Sequence, residues 1–223
     1  MGLSKPANYS FLAYYQILLD AKFDPIKSYL ERSTEMIEKI NLEMKTKVDN
    51  WNAGYRSSTN VPEGIEQYFE EISSIGQFKP TLYNSILLSI FSLFEYEFLN
   101  LCLDCQREEN CKLSPKDTNR KSYIDQCQRF ITKLLEVNLD SLNTNWKAIK
   151  KHRQIRNAFT HENGVIEQPS DDIIKFINRA DGIRFDYEKK LIVIETTNFL
   201  KNFIDLAKKY LLGVANEIEN QKN

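Results

Sequence analysis

The sequence predicts an all-α protein, a helical bundle with one small β-hairpin before the last long helix. Three observations predict it. Glycine and proline are scarce, seven and six in 223 residues, whereas a many-stranded sandwich needs a turn about every 8–12 residues. Apolar residues recur at helical spacing through most of the chain. One stretch departs from that spacing: in "GIRFDYEKKLIVIE" (182–195), β-branched and aromatic residues flank a polar Tyr-Glu-Lys-Lys, the pattern of a hairpin.

In chain order, "SFLAYYQILLDAKF" and "DPIKSYLERSTEMIEKINLEMKTKVDNW" read as two helices parted near Asp24-Pro25, with the proline as an opening helical residue. "VPEGIEQYFEEISSIG" reads as a shorter helix. Pro80 then opens the most apolar one, "TLYNSILLSIFSLFEYEFLNLCLDCQRE", the expected spine of the core. The polar, Pro-containing "ENCKLSPKDTNRK" is a loop. "SYIDQCQRFITKLLEV" is the next helix and "NLDSLN" a connection. In "TNWKAIKKHRQIRNAFTHENG", Thr144 or Asn145 serves as N-cap and Gly164 as the stop. After the hairpin, "TTNFLKNFIDLAKKYLLGVANEIE" returns to helix. No internal repeat or low-complexity linker divides the chain, so residues 76–223 are expected to form one helical domain and residues 1–75 an N-terminal helical extension.

Lys plus Arg (30) nearly balances Asp plus Glu (31), so global charge selects no partner. The longest apolar run, Ile86 to Phe94, holds two serines and stops at Glu95, short of the roughly 20 residues of a membrane span. "FLAYYQILLD" lacks a cationic leader and a cleavage site, and Pro6 stands where a myristoylation signal needs Ser or Thr. A cytoplasmic protein without a membrane partner is expected. Cys102, Cys105, Cys111 and Cys127 have a spacing that two metal-sharing thiolates would tolerate. "FLNLCLDCQRE" nevertheless reads as continuous helix, and buried cysteine is common. Reduced, metal-free thiols are expected, with no cofactor.

Both histidines of the chain, His152 and His161, lie within ten residues. At helical spacing Arg153, Asn157 and His161 form one stripe flanked by Arg156 and Thr160, while Ala148, Ile155, Ala158 and Phe159 supply an arc for docking on the core. From Ser141 to His161 there are five Lys or Arg residues, among them Lys150 and Lys151, and no Asp or Glu. Guanidinium forks match phosphate oxygens, lysines add diffuse attraction, and imidazole exchanges protons near neutral pH. RNA carries its own nucleophile in the 2′-OH, so a proton carrier and a cation suffice to cleave it: His161 as base or acid, Arg156 as the stabiliser of developing charge. Asn157 would orient the site. His152, off the stripe, is read as structural or RNA-facing. Glu95 interrupts the core helix and is expected at the solvent edge or paired with Arg156 or Arg153. Arg156 and His161 both fall on the polar arc, so their removal is expected to leave the fold intact. Among the many aromatic residues, Tyr14, Tyr15 and Tyr55 are the ones considered as base-stacking platforms.

"RNAFTH", Arg156 to His161, resembles the R-N-x-x-x-H motif of the HEPN superfamily. The arrangement of a long apolar helix, a motif helix and a closing long helix is also similar, over roughly Pro80 to Glu219. The resemblance implies an all-helical, often dimeric domain in which Arg and His of both subunits meet in one cleft. It further implies a metal-independent endoribonuclease of toxin–antitoxin or antiphage-defence type, with Arg156, Asn157 and His161 as its site. A second histidine from a two-fold partner would complete the acid–base pair, so a homodimer is expected, alongside RNA and an antitoxin or defence-system partner. The residues leave open a non-catalytic alternative, a helical module that binds nucleotide, RNA or protein through the same basic stripe.

Overall fold

The computed structural model describes residues 11–55, 65–120 and 122–222. Six α-helices and one antiparallel hairpin make up the described fold: α1 Phe11–Tyr55, α2 Ile65–Glu108, α3 Tyr123–Arg129, α4 Asn143–Glu162, α5 Asp171–Arg179, β1 Ile183–Asp186, β2 Leu191–Ile194 and α6 Thr197–Lys222. The expected all-α bundle, with its hairpin before the last helix, is the observed architecture.

The two prolines expected at helix boundaries lie inside helices instead. Pro25 is within α1 and Pro80 within α2, although an interior proline forfeits one helical hydrogen bond. Tertiary packing explains α1: Leu19 and Phe23 before the proline and Leu30 after it are fully buried in one core against α2 and α6. The stripe continues at seven-residue intervals through Ile37 and Met44. In α2, the helix entering Pro80 and the apolar helix leaving it are likewise one, so the expected boundary at 75/76 falls within a helix. Val61 to Gly64 of the shorter predicted helix lie outside the described residues.

Where it is described, α1 packs into the same core as α2 and α6. Glu97 of α2 is only 3% exposed, and both its oxygens accept from Lys22 Nζ of α1 at 2.7 Å. A buried carboxylate needs such a partner, and this one joins α1 to the spine.

The core gathers around α2. Phe91, Phe94 and Phe98 contact Phe203 and Tyr210 of α6, and Phe98 meets Trp146 of α4 edge-on. By length and composition Gly76–Glu108 would suffice to cross a membrane, contrary to the expectation from its shorter apolar run. Half of its most apolar window is buried inside the fold, and Ser85, Ser89, Ser92 and Tyr96 occupy its exposed side. Core burial thus accounts for its composition.

α3 passes into a π turn, Phe130–Leu134, and a 3-10 turn at Asp140–Leu142 leads into α4. Asn143 begins α4, one residue before the earlier of the two expected caps. The expected stop is observed: Asn163 (φ 51°) and Gly164 (φ 87°) are left-handed, and Gly164 N donates to Ala158 O at 3.0 Å. A Cβ on Gly164 would stand 2.6 Å from the Phe159 ring. Beyond it, Ile192 N donates to Gly164 O and Ile166 N to Lys190 O, so the hairpin clamps the end of α4. α5 is an element the sequence reading does not include. Ser170 caps it by accepting from Ile173 N, and Asp171 and Asp172 occupy its first turn.

Candidate functional site

α4 docks through Trp146, Ile149, His152, Ile155 and Ala158, all buried. Ile155 and Ala158 are the expected docking residues, and Phe159 is half-buried against the core. Ala148 instead faces a groove toward α5. This seating leaves Asn157 and His161 exposed and Arg153 and Arg156 half-buried.

Arg156 lies along α2. Its guanidinium carbon sits 5.3 Å from the Phe91 ring centre, its Nη2 lies 3.6 Å from Glu95 Oε2, and its Nη1 donates to Asn157 Oδ1 at 3.1 Å. The Glu95 carboxyl is raised above its ordinary range by burial, an effect the nearby Arg156 and Arg153 partly offset. The expected Glu95–Arg156 pairing is observed. The buried Arg156 Nε–H has no hydrogen-bond partner among the described residues. Phe91, a core residue by its spacing and not among the expected site residues, offers its ring face to the cation. Arg156 is consequently not a residue of a free polar arc, and its removal would disturb packing as well as charge.

His161 stands in the last turn of α4, one turn beyond Asn157, with its side chain open to solvent. Thr160 is also exposed, and its hydroxyl donates to Arg156 O at 2.9 Å. The helix end thus presents a fixed guanidinium and an accessible imidazole.

The remaining cations of the basic run divide into engaged and open ones. Arg153 Nη1 donates to Ser122 Oγ and Asp125 Oδ2, both at 2.7 Å, tying α4 to the start of α3. Lys151 pairs with Asp172 of α5. These acids are distant in sequence, so spacing within α4 gave no sign of them. Lys150 has no ion-pair partner among the described residues and faces the α4–α5 groove.

Of the two roles expected for it, His152 has the structural one: it is buried in the core. It is 5% exposed, stacked 4.1 Å from the Phe203 ring centre and 5.1 Å from that of Phe199, with Phe176 edge-on at 5.3 Å. Its Nδ1 lies 2.9 Å from Ala148 O, which can only accept, so Nδ1 carries the proton. Burial pushes its pKa down to about 4, with the hydrogen bond to Ala148 opposing. The imidazole is an aromatic core residue of the neutral form.

Tyr15 is likewise buried, stacked on Phe11, which removes it as a base platform. The side chain of Tyr55 lies outside the described residues. Cys102, Cys105 and Cys127 pack in the core, where Cys102 Sγ approaches Cys127 O at 3.8 Å. Cys111 is half-buried. No group of three or more His, Cys, Asp or Glu side chains suited to a metal occurs among the described residues. No known protein family, curated protein or solved structure matches the chain.

Proposed function

We propose that the chain is a metal-independent endoribonuclease of HEPN type, a cytoplasmic toxin or antiphage-defence effector whose site is Arg156, Asn157 and His161 at a homodimer cleft. One observation carries the reading: the last two turns of α4 hold both a guanidinium fixed by Phe91, Glu95 and Asn157 and a solvent-open imidazole, His161. In the proposed step the 2′-OH oxygen attacks phosphorus and the bond to the 5′-oxygen breaks. His161 takes the hydroxyl proton, and His161 of the partner subunit gives one to the leaving oxygen. Arg156 faces the charge that builds on the phosphoryl oxygens. The products are a 2′,3′-cyclic phosphate and a free 5′-hydroxyl, and no metal takes part.

The test is incubation of purified protein with single-stranded RNA and DNA in EDTA. Cleavage of RNA alone supports the proposal, and intact RNA rejects it. Glu95 favours a second reading, a non-catalytic RNA- or protein-binding module. A carboxylate beside Arg156 neutralises part of the charge that catalysis would use. Intact RNA that nevertheless binds is the result an RNA-binding module predicts, and intact RNA that does not bind is left to the protein-binding form of the same reading.

A further inference from the structure

Between α4 and α5 runs an open groove of about 580 Å³. Six cations line it, Lys147, Lys150, Lys151 and Arg153 from α4 and Lys175 and Arg179 from α5, against a single carboxylate, Asp172. Asp172 pairs with Lys151, and the charges of Lys175 and Lys147 also help hold its carboxyl below the usual range; Arg153 is held by Asp125. Lys147, Lys150, Lys175 and Arg179 have no ion-pair partner among the described residues. Such an excess in a chain of net charge −1 is local and one-sided.

The floor of the groove is apolar. Ala148 and the half-buried Phe176 form part of it, and Phe176 is held by the buried His152 ring beneath. Cationic rims over an aromatic floor suit a single strand, whose phosphates meet the rims and whose unpaired bases have a π face to rest on. A duplex keeps its bases stacked on one another and has no use for the floor, and a purely acidic peptide such as oligoglutamate has no flat side chain to lay on the ring. From Thr144 to Gln154 the α4 wall is about 15 Å long at a rise of about 1.5 Å per residue, room for a few nucleotides. We infer that the α4–α5 groove binds the backbone of single-stranded RNA and leads the strand along α4 toward its C-terminal end. The choice of RNA, and the direction toward His161, rest on the ribonuclease reading above.

The probe is a 12-nucleotide 2′-O-methyl RNA, whose blocked 2′-oxygen cannot attack phosphorus. Binding to the full chain is therefore measured whether or not the protein is a nuclease. Four open cations predict that log K falls with log salt at a slope of about −3, at about 0.7 per phosphate contact. Replacing the exposed Lys147 and Lys175 together by alanine should make the slope shallower by about 1.4 and weaken binding at least about 10-fold at 0.1 M salt. Lys39→Ala, on the exposed side of α1, should change neither. Unchanged slope and affinity in the double variant overturn the inference, as does displacement of the RNA by an equal concentration of oligoglutamate of the same charge. A failed ribonuclease reading looks different: RNA stays intact while the groove variants still lose affinity.

Discussion

Arg156 Nη2 lies 3.6 Å from Glu95 Oε2, joining the motif helix to the spine of the core. The pair is about one-quarter exposed on each side, so it belongs neither with surface ion pairs, worth about 0–1 kcal/mol, nor with buried ones, whose breaking costs about 3–5 kcal/mol. Its consequence is that the cation proposed for chemistry is also part of the fold.

Arg156→Ala should therefore lower stability by about 1–3 kcal/mol, because it strands a half-buried carboxylate and strips the Phe91 face. Glu95→Gln should cost less in the Arg156→Ala background than in the native chain. Urea denaturation of the four proteins measures the coupling. Additive effects would show that the two side chains do not interact.

His161→Ala should behave differently. The imidazole is exposed and has no hydrogen bond or ion pair among the described residues, so its loss should move stability by less than about 0.5 kcal/mol. A thermal melt shifted by many degrees would contradict the placement of His161 outside the packed core.

His152 makes stability depend on pH. Its folded pKa is about 4 against 6.5 for the free side chain. Between these values the unfolded chain binds a proton that the folded chain refuses. The His152 contribution is complete above pH 6.5, is lost as pH falls toward 4, and amounts to on the order of 3 kcal/mol. In His152→Phe, which can keep the stack on Phe199 and Phe203, that part of the decline should disappear. Stability curves of the two proteins that run parallel from pH 7 to 4 would refute the assignment.

The elements and the site were unequally legible in the sequence. The helical spacing of α4, its glycine stop and the hairpin followed from local chemistry, as did the inward face of Ile155 and the suspicion that Glu95 needed a cation. Pro25 reads as a helix start, but burial of Leu19 and Phe23 before it and of Leu30 after it outweighs the local breaker, which only tertiary contacts reveal; the residues just before Pro80 are exposed or half-buried, and α2 runs through it into the buried stretch that begins at Tyr83. α5 did carry a local signal, Ser170 followed by two aspartates and then Ile173, Phe176 and Ile177 at helical spacing, but the element is only nine residues long. The engagement of Lys151 with Asp172 and of Arg153 with Asp125 depends on partners 21 and 28 positions away, beyond the reach of periodicity. Without them the basic run looked uniformly open. With them, its free cations gather toward α5.

A composite site requires two copies of the chain. Sedimentation at micromolar concentration should give a dimer, and a strict monomer would leave His161 without the second imidazole that the proposed proton exchange uses.

The most direct measurement compares the rate of single-stranded RNA cleavage in EDTA by the native chain and by His161→Ala, with the new ends identified. The expected result is a 2′,3′-cyclic phosphate end in the native reaction and a loss of at least about 100-fold in the variant, the lower bound for general acid–base catalysis, in a protein whose melting is unchanged. Equal rates for the two proteins, or activity that appears only with a divalent metal, would contradict the assignment of His161 as the proton carrier.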